Sequence, residues 1–221
     1  MIKKISKFVS DHSQIALILS ILLLIFFSPY YWDSAFTGYI NFILMTLILL
    51  SAMLTLKKSS QIFKVVKQAG NLIIILSLFV VIIDNAYAEV INRILFILFF
   101  IMVAINLLVG IIKSREVDTE VIFSAVAVYV LFGLCGAILA AVVMFFEPEA
   151  FSLNSTYSNQ FHQLLYFSFV TITTTGYGDI LPVKPIARTL AIFLVLFGQL
   201  YLTVIIGILI GKYLSGREKS K

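Results

Sequence analysis

The chain has 221 residues, 61% of them hydrophobic and only 12% charged, with a mean hydropathy of +1.08. Ordinary globular domains are roughly half apolar and about a quarter charged, so the composition excludes a soluble domain and indicates an integral membrane protein. The net charge of +5 sits in short basic clusters between apolar runs, which argues for a membrane-orientation signal and against a nucleic-acid partner.

A membrane-crossing helix needs about 20 mostly apolar residues. In chain order, uncharged runs of that size occupy residues 12–32, 34–56, 94–112, 121–146 and 189–211. A shorter run, 68–83, extends towards Ala88 if Asp84 lies near the headgroups. The basic cluster ahead of the first run also fits a cleaved signal peptide. The absence of a small-x-small cleavage site, and Pro29-Tyr30-Tyr31-Trp32 as an interfacial aromatic stop, favour a retained span. Cys135 lies inside the fifth run and reads as a small packing residue.

The fourth span reads INRILFILFFIMVAINLLVGIIK, with Arg93 its only basic residue before Lys113. Voltage sensing requires charge that moves through the membrane field, and no arginine recurs every third position here. Steep voltage dependence is therefore not expected, and Arg93 is expected at the outer interface beside Glu89 or Asp84. Of the 16 basic residues, only Arg93, Lys184 and Arg188 fall on one side of the six-span arrangement. The positive-inside rule makes the other side, with both termini, cytoplasmic.

Residues 150–178 break the pattern. They are uncharged but begin with a polar stretch, Asn154 to Gln163, before an apolar patch and then TITTTGYGDI at 171–180. Irregular backbone at membrane depth is tolerated only where protein or a water-filled cavity surrounds it, so the segment reads as re-entrant. Residues 158–172 predict a short helix capped by Ser158 or Asn159. Its C-terminal end aims the negative pole of the helix dipole inward, which favours cations. Gly176 and Gly178 stand at alternate positions, where glycine admits positive φ at no steric cost. That alternation turns consecutive carbonyls towards one axis. The hydroxyl of Thr174 adds an oxygen below them. One chain supplies a single wall of such a site, so several chains must meet. An ordinary glycine turn between two helices is the bland alternative.

Thr174-Thr175-Gly176-Tyr177-Gly178-Asp179 resembles the filter of the potassium-channel pore family, TVGYG in its usual form, with Thr175 in place of valine. A chance match at six positions has a frequency of about one in ten million per start point, which disfavours the turn. The resemblance runs from Leu165 to Gly198. It implies a homotetramer in which Thr174, Thr175, Gly176, Tyr177 and Gly178 hold K⁺, supported by Thr173, Asp179 and Tyr166. Tyr166 stands where several members place a tryptophan that bonds the equivalent of Asp179, and its phenol is able to make the same bond. Phe167 departs from the family by offering Tyr177 no donor, and Val170 replaces an acidic residue found in some members. The implied consequence is a filter that collapses easily. Gly198 falls at the family's hinge position. On that register Gln199 faces the cavity, with Leu202 and Ile206 below it. Gln199 reads either as a hydrated ring touching ions or as an interhelical hydrogen bond. Gly207-x-x-x-Gly211 reads as helix packing, or as a bend.

The expected architecture is all-α: six transmembrane helices plus a re-entrant pore helix and filter. Residues 1–113 form a four-helix bundle without gating charges, and 114–221 form the pore domain. The expected function is a potassium-selective channel of the plasma (inner) membrane conducting K⁺ passively. Its partners are three further copies and membrane lipids, with no nucleic acid, no organic cofactor and no soluble ligand domain. A less selective cation channel, a non-conducting regulatory subunit and a transporter with a broken helix are the alternatives. No arrangement of His, Cys, Ser or carboxylates suggests an enzyme. His162 is either a packing residue or a source of external-pH sensitivity, and Asn154-Ser155-Thr156 fits a glycosylation acceptor.

Overall fold

The computed structural model describes residues 13–27, 34–56, 61–83, 85–114, 116–154 and 159–218. Ser158, Ser155, Thr156, Asp84 and the aromatic stop at 29–32, each invoked above, lie outside them. The described residues form seven helices: α1 (Ser13–Phe27), α2 (Ser34–Leu54), α3 (Gln61–Ile83), α4 (Ala86–Lys113), α5 (Thr119–Phe146), α6 (Gln160–Ile172) and α7 (Pro185–Glu218). The only β pairing among them is a single bridge between Phe151 and Pro182. The chain is an all-α membrane protein. Among the described residues α3, α4, α5 and α7 are long and apolar enough to cross a membrane, while α1 and the described part of α2 are shorter apolar helices.

Several helices run further than their uncharged stretches. α3 begins at Gln61 and includes Lys64 and Lys67, and α4 begins at Ala86 and includes Glu89 and Arg93. Charged side chains in end turns reach the interface along their own apolar stems, so an uncharged run marks only a helix's middle. The starts follow from caps. Asn85 Oδ1 accepts from the amides of Tyr87 and Ala88 at 3.0 and 3.1 Å. Asp118 Oδ1 accepts from Val121 N at 2.8 Å, and Glu89 and Glu120 add favourable charge in the first turns. Pro185 opens α7, where its missing N–H costs nothing.

α5 is the hub of the molecule. It packs on α1 and α4 on one side and on α6 and α7 on the other. Leu131, Leu134, Ala137 and Ile138 are wholly buried there. Arg93 pairs with Glu89, as expected, and also donates Nη1 to Ala141 O on α5 at 3.3 Å. Ser77 Oγ donates to Asn92 Oδ1 at 3.1 Å, tying α3 to α4. Gln14 Nε2 donates to Glu120 Oε1 at 3.2 Å, tying α1 to α5. α6 sits in a groove made by small residues of α5. A Cβ on Gly136 would lie 2.3 Å from Ser168 Oγ, and that hydroxyl donates to Gly133 O at 2.6 Å.

Candidate functional site

The segment after α6 is built by its amides turning backwards. The N–H of Thr173 donates to Phe169 O (3.1 Å) and that of Thr174 to Thr171 O (3.0 Å), while those of Thr175 and Gly176 share Val170 O (3.0 and 3.2 Å). Four successive donors thereby satisfy the carbonyls that α6 leaves open at its C-terminus. Among the described residues no backbone amide donates to the carbonyls of Thr174, Thr175, Gly176 or Tyr177. The amides of 173–176 thus turn back to α6, while the carbonyls of 174–177 are left without a backbone donor.

Backbone torsions make that sorting. φ is +59° at Thr174, +56° at Gly176 and +78° at Gly178. The glycines were legible from the sequence. Thr174 was not, because a β-branched residue in the left-handed region is an outlier. Bonds on all sides hold it there. Its amide is tied to Thr171, its hydroxyl donates to Thr173 O at 2.6 Å, and the same oxygen accepts from Gln199 Nε2 at 3.0 Å.

Asn159 is the N-cap of α6, its Oδ1 accepting from His162 N at 3.1 Å. Burial pushes the His162 imidazole below its ordinary pKa. Tyr166 and Asp179 are brought together. Their side-chain hydrogen bond is the main cause that raises the phenol's pKa, with smaller contributions from burial and from the charges of Asp179 and Tyr177. Phe167 offers no donor and packs edge-on against Phe151, ring centroids 4.9 Å apart. Beyond the strip, Ser152 N donates to Leu181 O (2.9 Å) and Leu181 N to Ser152 Oγ (2.7 Å), stitching the loop after α5 to the segment that leaves the strip.

Beneath lies α7. Gly198 is pressed against the last carbonyl of α6: a Cβ there would meet Ile172 O at 2.1 Å. The same carbonyl accepts from Tyr129 Oη on α5 at 3.1 Å. α7 runs unbroken through Gly198, so in this conformation the glycine serves close approach. Gln199 is exposed and reaches the strip itself, a contact that neither of its two sequence readings contained. Leu202 and Ile206 are exposed below it. Gly207 and Gly211 meet nothing within 4 Å, so the packing expected of them is not made within the subunit. Residues 173–179 are all exposed.

An ion-channel family model matches residues 120–214, from the start of α5 to the lower part of α7. The two-pore potassium channel 4 of Arabidopsis thaliana is 33% identical over 108 residues, 49% of this chain and 35% of the plant protein. The voltage-gated potassium channel of Aeropyrum pernix is 36% identical over 86 residues, 39% of this chain and 26% of that protein. Over this stretch the chain is similar to an ion-channel family and to these two potassium channels.

The matched residues contain α5, α6, the strip that follows α6 and most of α7. The chain spans only about a third and a quarter of the length of these two relatives, and no solved structure matches it.

Proposed function

We propose that the chain is one subunit of a potassium-selective channel that conducts K⁺ passively through the membrane. The single observation that carries this reading is the strip from Thr174 to Tyr177, where the amides of Thr174, Thr175 and Gly176 are spent on α6 while the carbonyls of all four residues accept no backbone bond. A ring of such oxygens replaces the hydration shell of a desolvated alkali cation, and one subunit offers one side of a ring. The exposure of 173–179 in the single chain supports closure by further copies, and four identical subunits are the proposed assembly. The carbonyls of Thr174, Thr175, Gly176, Tyr177 and Gly178 are its K⁺ ligands, the Thr174 hydroxyl contributes to the innermost site, and Thr173, Tyr166 and Asp179 hold the strip in place.

Residues 1–113 form a supporting bundle and 114–221 the pore unit, with both termini cytoplasmic in a plasma (inner) membrane. The lone Arg93 of the fourth span is tied to Glu89 and to α5, which supports a pore with little voltage dependence.

Purified protein in liposomes tests the reading directly: K⁺ flux well above Na⁺ flux, blocked by barium, is expected. Equal Na⁺ flux returns the less selective channel. No flux from the reconstituted protein returns the non-conducting subunit. A second measurement concerns the filter's rigidity. Phe167 gives Tyr177 no hydrogen bond, leaving Tyr166–Asp179 as the chief side-chain tie on the outer side. Currents are therefore expected to inactivate when external K⁺ is withdrawn, and undiminished currents would contradict that account.

A further inference from the structure

The lower end of α7 is held by one side chain. Of residues 210–215, Lys212 alone is not exposed. Its ammonium donates to Ile111 O (2.6 Å), Ile112 O (2.8 Å) and Ser114 O (2.7 Å). An ammonium has three N–H donors and no acceptor, so every donor is engaged.

The acceptors are the end of α4. That helix stops at Lys113, with Ser114 as its C-cap in extended conformation. The last carbonyls of a helix have no partner within it and carry the negative pole of its dipole. The Ser114 amide closes back onto Gly110 O at 3.0 Å, and Lys212 takes two of the remaining carbonyls together with that of the cap. A cation capping a helix C-terminus usually comes from the helix's own last turn. This one comes from a residue about 100 positions later in the chain. α4 and α7 do not otherwise pack along their lengths among the described residues, so the ammonium is the bridge between them.

We propose that Lys212 is a latch that fixes the lower end of α7 to the supporting bundle and keeps the pore shut. The proposal rests on the channel reading above. With α7 unbroken, Leu202, Ile206 and Ile210 lie exposed one turn apart below Gln199. Brought together around an axis, such a line forms an apolar constriction of the kind that closes pores by dewetting. Widening it requires the lower end of α7 to shift relative to the bundle, and such a shift parts the ammonium from three carbonyls at once. The bundle, which lacks gating charges, is then the fixed point to which the gate is fastened.

Two measurements on the full chain in liposomes test the latch. Lys212→Met keeps the stem and removes the donors, while Lys212→Arg keeps donors for the carbonyls. The expected result is basal K⁺ flux about tenfold or more higher in Lys212→Met, since one cap is lost in every subunit, with Lys212→Arg close to wild type. Amide hydrogen exchange over 110–114 should quicken in Lys212→Met and not in Lys212→Arg, which a nonspecific loss of stability would not reproduce. Equal flux from wild type and Lys212→Met, or lower flux from the variant, overturns the latch and leaves the channel intact. Absence of flux from wild type and both variants overturns the channel reading, and with it the gate. Unchanged exchange over 110–114 in Lys212→Met removes the cap itself. Should Lys212→Met fail to fold, Lys212→Gln, which keeps two donors and loses the charge, replaces it in both measurements with the same expected direction.

Discussion

Replacing Gly178 or Gly176 with alanine is expected to abolish K⁺ selectivity while leaving the protein in the membrane. Both glycines have φ in the left-handed region, +78° and +56°, and an added Cβ at either meets no atom within 4 Å. The penalty is therefore torsional, roughly 1–2 kcal/mol per residue, and recurs in each subunit of a symmetric assembly. No contact offsets it, so the cheapest relaxation is for the alanine peptide to rotate to negative φ. That rotation turns one carbonyl in every subunit away from the ion path. The spanning helices are untouched, so expression and membrane insertion are expected to stay near wild type. The measurement is the reversal potential in mixed Na⁺ and K⁺. A Gly178→Ala protein that still discriminates K⁺ from Na⁺ would show that the alternation at 174, 176 and 178 is not what orients the oxygens.

Gly198→Ala is expected to be the most damaging single-methyl change in α7. The new Cβ would stand 2.1 Å from Ile172 O and 2.9 Å from Ile172 Cγ1. The carbonyl cannot swing aside freely, because it belongs to the end of α6 and is also held by Tyr129 Oη. Either α7 backs away from the filter base, losing the bond from Gln199 to Thr174, or α6 is displaced. Overpacking of this kind costs about 1–3 kcal/mol per site. The natural control is Gly207→Ala: nothing lies within 4 Å of that position, and alanine gains about 1 kcal/mol in helix propensity over glycine. The thermal midpoint of the detergent-solubilised assembly is expected to fall for Gly198→Ala and to hold or rise for Gly207→Ala. A Gly198→Ala assembly as stable and conductive as wild type would remove the close approach as the reason for that glycine.

What could be read from the sequence was local. The polar break in an apolar chain, the Asn159 cap, the alternate glycines and the pairing of Arg93 with Glu89 each depend on residues a few positions apart, where spacing alone settles who meets whom. Thr174 escaped because its torsion contradicts its own preference and exists only through bonds to α6 and α7. Gly136 was invisible as the seat of α6, since what it accommodates, Ser168, arrives from 32 residues further along. In the sequence Lys212 is merely one of many lysines; the fold sets it against the end of α4. Helix ends were not legible for another reason: lysines and ion-paired residues extend α3 and α4 beyond their uncharged stretches, because a helix end at the interface does not need to be apolar.

The central position of α5 has a consequence for how the two halves depend on each other. The face it turns to α1 and α4 is built of aliphatic side chains and held by few polar ties, chiefly Arg93 to Ala141 O and Gln14 to Glu120. Acyl chains are as apolar as leucine and solvate such a face nearly as well as protein does. Amputating the first four helices therefore sacrifices little cohesion inside a bilayer, whereas the same surgery on a water-soluble protein would strip its interior bare. What the shortened polypeptide forfeits is its tether to a stationary neighbour, a loss of control that leaves its architecture standing.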